Sequence, residues 1–327
     1  MTADHASEGP TTSARAGSRV VVYVALAANI LIATGKFFAA SISGSSAMWS
    51  EGVHSLVDSV NEVLLLYGIH RSGAKPSATH PLGYGREVYF WSFMVSVLLF
   101  ALGAGVSVWE GVRHVLKPHA VEHPLVSYAV LGLAAVFEGV SWWFAFVEFR
   151  ARKGSRGFLQ AARETKDPST VMVFLEDTAA LIGIALAAAG TAGAQILGQP
   201  AFDGAASIAI GLLLAAIALF TAQENKQLLI GEAARPSLLK SVGRIAARER
   251  GVACYNGMLT IQLAPREVVV ALSLAFDEEL RASELQEVVA SLETSIRKNH
   301  PEVVLVLVKP QSAEDYRKAH ARWMAGP

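Results

Sequence analysis

Apolar residues in this chain fall into six long runs, and this pattern stops near residue 230. The runs are Arg19–Ser41, Ser46–His70, Val88–Arg113, Leu125–Phe149, Thr170–Ile196 and Phe202–Gln223. A helix of about 20 apolar residues is long enough to cross a bilayer. The pattern therefore predicts a membrane all-α domain, a six-helix transmembrane bundle over residues 19–230, which follows a disordered cytoplasmic tail over residues 1–18.

The chain after residue 235 has shorter patterns that alternate between helix and strand. Strand patterns occupy Gly257–Leu263, Glu267–Phe276 and Val303–Val308, and helical patterns precede the first and follow the second. This order predicts a small cytoplasmic α+β (α-β-β-α-β) domain over residues 235–312, with a C-terminal tail over residues 313–327. Because so small a domain gains stability from association, we expect it to form a homodimer.

The composition is that of a membrane protein and narrows the possible partners. Hydrophobic residues make up 52% of the chain and charged residues only 17%, and the formal net charge is zero. We therefore expect the lipid bilayer as surroundings and no nucleic acid as a partner. The single cysteine, Cys254, excludes an internal disulfide.

Basic residues near the ends of the apolar runs predict the orientation. The connection between the fourth and fifth runs carries six Lys and Arg residues, whereas the connection between the fifth and sixth carries none. Since Lys and Arg are enriched in cytoplasmic loops, both termini are expected in the cytoplasm. The high Ala and Gly content suggests a bacterial inner membrane.

The second apolar run holds the candidate chemistry, His54 and Asp58. Four residues make about one helical turn, so the two side chains share one helix face. A titratable side chain in lipid costs about 2.5–3.5 kcal/mol on insertion scales, so two of them on one face imply a functional partner. An imidazole and a carboxylate are good ligands for a divalent metal.

Four other polar residues in or next to the apolar runs allow different interpretations. Asn29 indicates a hydrogen bond between helices, and Lys36 an interface position or an acidic partner, although both could line a transport pathway. Glu138 could be a gating partner or part of a structural pair. Asp203 begins the sixth run and is expected to cap its helix.

Several motifs together resemble the cation diffusion facilitator family of divalent-metal transporters. They are Gly44–Met48, Glu51–Asp58, His80–Arg86 and Tyr89–Trp91. The run Phe174–Ala180 looks most like the branch that contains the ninth human zinc transporter. The match extends over nearly the whole chain after the N-terminal tail.

The resemblance implies a homodimer that exports a divalent metal from the cytoplasm in exchange for protons. The family site joins a His/Asp-x-x-x-Asp pair on the second helix, here His54 and Asp58, to a second pair on the fifth. Asp177 matches the second member of that pair, but Val173 stands where its first ligand is expected. Glu176 supplies another carboxylate, although its side chain points about 100° away around the helix axis. The implied metal site is therefore His54, Asp58 and Asp177, completed by water or by Glu176.

This ligand set leaves the metal and the function class open. Zinc accepts four such ligands in a tetrahedron, and a carboxylate-rich site also suits manganese, with cobalt and iron(II) as further candidates. The metal would be a transported substrate, so no cofactor is expected. A membrane metal-dependent enzyme or a scaffold that transports nothing are the alternatives. No third strong ligand or deep nucleophile favours the enzyme, and a scaffold leaves the buried acids unexplained, so we expect an exporter and no catalytic residues.

Overall fold

The computed structural model describes residues 12–153, 157 and 166–325, and these form two compact units. The first, which we call the helical unit, comprises the described residues up to 66 together with 94–151 and 172–221. The second, the mixed unit, comprises 67–93, the described residues of 152–171, and the chain from 222 onward. Of the predicted N-terminal tail, residues 1–11 lie outside the described residues, and the first helix begins at Thr12.

Long helices occupy the described chain up to residue 230. They are α1 (Thr12–Ser43), α2 (Ser46–Ser72), α3 (Glu87–Leu98), α4 (Gly105–Leu116), α5 (Pro124–Lys153), α6 (Pro168–Ile196) and α7 (Ala201–Ile230). A π-helical turn, Leu99–Ala104, joins α3 to α4 without a break. Such turns occur mostly as single insertions within α-helices, as here.

Four helices in the described part of the chain are long and apolar enough to cross a membrane. They are Glu87–Leu116, Pro124–Ala151, Val171–Ile196 and Ala201–Ile230, and they match the third to sixth predicted runs. Asn29–Ser43 of α1 forms a shorter apolar helix, while α2 has polar residues among its apolar ones. A helical domain of the membrane type is thus confirmed with four candidate spans, and the count of six stays a prediction.

Small residues let the helix Glu87–Leu116 pack closely against α7. A Cβ atom on Gly111 would lie 2.7 Å from the Gly204 carbonyl oxygen, and one on Gly211 would lie 2.7 Å from Val108 Cγ2. Membrane helices gain van der Waals contact through such close backbone approach. Some large side chains of α5 point outward instead, and Phe144 is 71% exposed, as a lipid-facing position would be.

The mixed unit contains the predicted α-β-β-α-β order, which is confirmed, and one further helix. Its elements are α8 (Pro236–Arg248), β1 (Val252–Ala264), β2 (Glu267–Phe276), α9 (Ala282–Asn299), β3 (Val303–Pro310) and α10 (Ala313–Met324). In the sheet, β2 lies between β1 and β3, antiparallel to β1 and parallel to β3. The helix α10 lies in the segment predicted as the C-terminal tail.

Alternating residues of β2 divide the sheet into two faces. Val270 and Leu272 pack with Val242 of α8 and Ile296 of α9 in the buried core. On the opposite face, the strand register aligns Leu259 of β1, Ala271 of β2 and Leu307 of β3. We call this set the leucine row, and its two leucines are 51% and 53% exposed.

Candidate functional site

A cavity of about 250 Å³ lies within the helical unit, and its lining is rich in carboxylates. Helices α1, α2, α5 and α6 form its walls. The carboxylates are those of Asp58, Glu62, Glu138, Glu176 and Asp177, and we call this space the acidic cavity. Acidic side chains with low-dielectric walls concentrate cations, so the cavity has the charge that a bound cation requires.

His54 and Asp58 are neighbours on α2, as their spacing predicts. His54 Nδ1 lies 3.4 Å from Asp58 Oδ1. Asp58 lines the acidic cavity, whereas His54 is buried beside it and is not one of the lining residues. Within the described part of the chain, neither ring nitrogen of His54 makes a hydrogen bond, and Asp58 Oδ1 accepts none. Buried polar atoms without a hydrogen bond are rare, so these atoms are available to a ligand.

Both carboxylates of α6 reach the acidic cavity although they are adjacent in sequence. Asn61 Nδ2 of α2 donates a hydrogen bond to Glu176 Oε1 at 2.9 Å. Ser141 Oγ of α5 donates a hydrogen bond to Asp177 Oδ2 at 2.8 Å. The two side chains therefore diverge around α6 and are held from opposite sides, one by α2 and the other by α5.

Three of the four predicted site residues, Asp58, Glu176 and Asp177, thus share one cavity, and His54 lies next to Asp58. Among the residues that the structure describes, no group of three or more His, Cys, Asp or Glu side chains is arranged to hold a metal ion. The four residues are gathered in one region without forming a closed coordination shell.

Sequence reasoning did not assign Glu62, Asn61 or Ser141 to the site. Glu62 lies one turn beyond Asp58 on α2 and lines the same cavity, a spacing that could have pointed to it. Asn29 Nδ2 donates a hydrogen bond to Glu62 Oε1 at 2.9 Å, which confirms that Asn29 bonds to another helix. Asn61 and Ser141 act through their contacts with α6, and such contacts between distant residues leave no local signal.

Comparison with known proteins decides the family. The model of the cation efflux transmembrane domain matches residues 22–230, more than half of the chain. The chain belongs to the cation efflux family. Together with the candidate spans, this match makes it a multi-pass membrane protein and a metal transporter by family.

Several named relatives resemble this cation efflux protein. It is 32% identical over 263 residues to the human "Proton-coupled zinc antiporter SLC30A9, mitochondrial", a match covering 80% of this chain and 46% of the relative. It is 34% identical over 218 residues to "Metal tolerance protein C4" of Arabidopsis thaliana, covering 66% and 48%. The "Manganese efflux system protein MneP" of Bacillus subtilis is 22% identical over 320 residues, covering 91% and 97%. The chain thus spans about half the length of the human and plant relatives.

A buried ion pair in the cation efflux protein lies close to the acidic cavity. Lys36 Nζ of α1 lies 2.8 Å from Glu51 Oε2 of α2, and both side chains are fully buried. Lys36 also donates a hydrogen bond of 2.8 Å to Ser55 Oγ, and Ser55 lines the cavity. The expectation that Lys36 has an acidic partner is therefore confirmed. We call this contact the Lys36–Glu51 pair.

The expectation that Asp203 caps its own helix is wrong, because Asp203 of α7 caps α2 instead. Its carboxylate accepts hydrogen bonds from the backbone N–H groups of Ser46 and Ala47, at 2.6 and 3.2 Å. It also accepts hydrogen bonds from the hydroxyls of Ser45 and Ser46. A helix N-terminus has free N–H groups and a positive dipole end, and folding brings that of α2 against this carboxylate.

Proposed function

We propose that this protein exports a divalent metal cation from the cytoplasm in exchange for protons, with zinc as its main substrate. The acidic cavity carries the proposal, because carboxylates from three helices surround it within the domain that matches the family model. The human relative is named a zinc antiporter and the Bacillus relative a manganese efflux protein. Manganese is therefore the first alternative, followed by cobalt and iron(II).

The proposed metal ligands are His54, Asp58, Asp177 and Glu176. The free ring nitrogens of His54 and the free Asp58 Oδ1 support the first two. Glu176 lines the cavity together with Asp177, which supports it over water as the fourth ligand. Because these groups bind metal in their deprotonated forms, metal entry releases protons and proton entry releases metal. A site that opens alternately to each side of the membrane then couples the two flows.

The proposed topology has six spans with both termini in the cytoplasm of a bacterial cell. The span count adds α1 and α2 to the four apolar helices. The ionisable residues Glu51 and His54 of α2 are buried inside the helical unit, as expected for a span whose polar side faces other helices.

The proposed assembly is a homodimer in which the leucine rows of two copies face each other. The row extends across all three strands, and its leucines are half exposed on a face that α8 and α9 do not cover. A second copy would remove this apolar surface from water. Size-exclusion chromatography with light scattering should give a dimer for the native chain and a monomer for Leu307→Glu. A native chain that is monomeric would contradict the assembly.

Metal-driven proton movement in proteoliposomes tests the function. Native protein and Asp58→Asn are reconstituted, with Glu110→Gln as the control because Glu110 is an acid of α4 outside the cavity lining. A zinc gradient should move protons through the native protein and the control but not through Asp58→Asn. The proposal fails if no divalent metal drives flux through the native protein. It also fails if folded Asp58→Asn transports at the native rate.

A further inference from the structure

We propose that Glu138 of α5 is an additional metal ligand, which supplies the oxygen that Val173 cannot and which matters more for manganese than for zinc. This inference rests on the proposed function and names a specificity determinant of the same site. Two observations support it, the lack of a short polar contact to the Glu138 carboxylate in the described chain and its level along the helix. The chemistry of the proposed ligands then gives it a specific consequence.

Glu138 differs from the other four carboxylates of the acidic cavity, each of which faces a polar side chain. Those contacts are Asn29–Glu62, Asn61–Glu176, Ser141–Asp177 and His54–Asp58. Among the residues that the structure describes, Glu138 makes no hydrogen bond and no ion pair at short range, and the charge of Lys36 acts on it only from farther away. No short polar contact therefore fixes the Glu138 carboxylate within the described chain, and it lines the cavity where a cation would lie.

The direction of the helices fixes where Glu138 lies. Along α2 and α6, Glu51 lies opposite Gly183 and Asn61 opposite Glu176, so these helices are antiparallel. Along α5 and α6, Phe149 stacks on Phe174 at 5.3 Å, whereas Ser141 lies opposite Asp177, so these two are also antiparallel. Consequently α2 and α5 run in the same direction on the two sides of the cavity.

Glu138 therefore lies at the level of Asp58. Asp58 precedes Asn61 by three residues, and Glu138 precedes Ser141 by three residues, which is a shift of about 4.5 Å along each helix. Asn61 and Ser141 contact Glu176 and Asp177, which are adjacent in α6, so Asn61 and Ser141 lie at about the same level of the helix bundle. Asp58 and Glu138, each three residues earlier, therefore also lie at one level. The charges of Glu138 and Asp58 also interact with each other. A cation between these two side chains would contact carboxylates from α2 and α5 together.

Ligand chemistry gives this extra carboxylate a specific consequence. Zinc is satisfied by four ligands in a tetrahedron, and His54, Asp58, Glu176 and Asp177 supply that number. Manganese(II) prefers an octahedron of oxygen ligands, which that set does not complete. With Glu138 the site offers carboxylate oxygens from four residues on three helices. The harder ion therefore depends on Glu138 more strongly than zinc does.

Equilibrium binding to the purified full chain tests the assignment without reference to transport. Affinities for manganese, from the electron paramagnetic resonance signal of free Mn²⁺, and for zinc, from competition with a chelating dye, are measured for native protein and Glu138→Gln. Glu62→Gln is the matched control, since it removes a carboxylate of the same cavity that Asn29 already holds. Glu138→Asp keeps an oxygen ligand and covers the case in which the amide variant fails to fold.

We expect Glu138→Gln to lower manganese affinity about tenfold or more and zinc affinity less than about threefold, as loss of one oxygen ligand would. Glu138→Asp should retain more manganese affinity than Glu138→Gln. Equal losses for both metals, or the same losses in Glu62→Gln, would mean that Glu138 acts only through its charge and would overturn the assignment. Native protein that binds and transports both metals, with Glu138→Gln unchanged, refutes this inference alone. Native protein that binds neither metal refutes the proposed function itself.

Discussion

Two groups of buried charge lie within the helical unit, and they are balanced in different ways. In the Lys36–Glu51 pair an ammonium meets a carboxylate at 2.8 Å, and Ser55 satisfies a further proton of Lys36. In the acidic cavity four of the five carboxylates contact an amide, a hydroxyl or an imidazole, and the charge of Lys36 acts on Asp58 and Glu138 from beyond ion-pair distance. In the first group the two charges meet directly, although Glu51 Oε1 accepts no hydrogen bond in the described chain. In the second, no Lys or Arg among the described residues lies within ion-pair distance of a cavity carboxylate. This difference distinguishes a structural ion pair from a cavity that could bind a mobile cation.

The largest effect on stability should come from Lys36→Met. It leaves Glu51 buried without its cation, and breaking a buried pair in this way costs about 3–5 kcal/mol. Thermal unfolding in detergent measures the loss. The double variant Lys36→Met/Glu51→Met should recover most of it, because no charge is then left alone.

Glu176→Gln is the matched variant for the acidic cavity in this test. It removes a carboxylate that has no cationic partner and keeps an oxygen that can accept the hydrogen bond from Asn61. Its unfolding temperature should stay close to that of the native protein. If Glu176→Gln were as destabilising as Lys36→Met, the two groups of charge would not differ as described.

Gly183→Ala should have a smaller effect on the same pair. A Cβ atom at this position of α6 would overlap Glu51 Oε1 and push that side chain away from Lys36. Overpacking of this kind typically costs about 1–3 kcal/mol in unfolding free energy. Gly132→Ala on α5 is the control, because its Cβ would meet nothing within 4 Å. Equal unfolding temperatures for both variants would show that Glu51 has room to move.

The smallest effect on stability should come from Ser141→Ala, which changes the acidic cavity. It removes the hydrogen bond that orients Asp177, and loss of one such bond costs about 1 kcal/mol. Zinc affinity should nevertheless fall about tenfold or more, as it does when the orienting partner of a metal ligand is lost. Titration against a chelating dye measures this affinity. Native affinity in Ser141→Ala would exclude Asp177 as an oriented ligand.

The sequence predicted contacts between residues close together in one helix. It also predicted what kind of partner a polar residue inside an apolar span needs. His54 and Asp58 follow from helical spacing alone. Lys36 needed an anion and Asn29 a polar partner, but no pattern could identify them as Glu51 and Glu62, which belong to another helix. The partners of a span residue depend on how helices pack, and packing is not encoded in the period of a single helix.

The two carboxylates of α6 show a further limit of reasoning along one helix. The angle of about 100° between consecutive residues argued against Glu176 and Asp177 sharing a site. Both nevertheless line the acidic cavity, because that cavity lies between α2 and α5 and is wide enough to receive one side chain from each flank of α6. The π-helical turn Leu99–Ala104 had no sequence signal either.

The cap that Asp203 places on α2 has a mechanical consequence. Its hydrogen bonds with the first turn of α2, together with the contact between Ser50 and Ser207, fasten α2 to α7 at several points. Separating α2 from α7 would leave the buried carboxylate of Asp203 without donors. We therefore expect the two helices to move together as one rigid body. The helix that carries Asp58 is therefore anchored at its N-terminal end to α7, and a displacement of α7 would be transmitted to this wall of the acidic cavity.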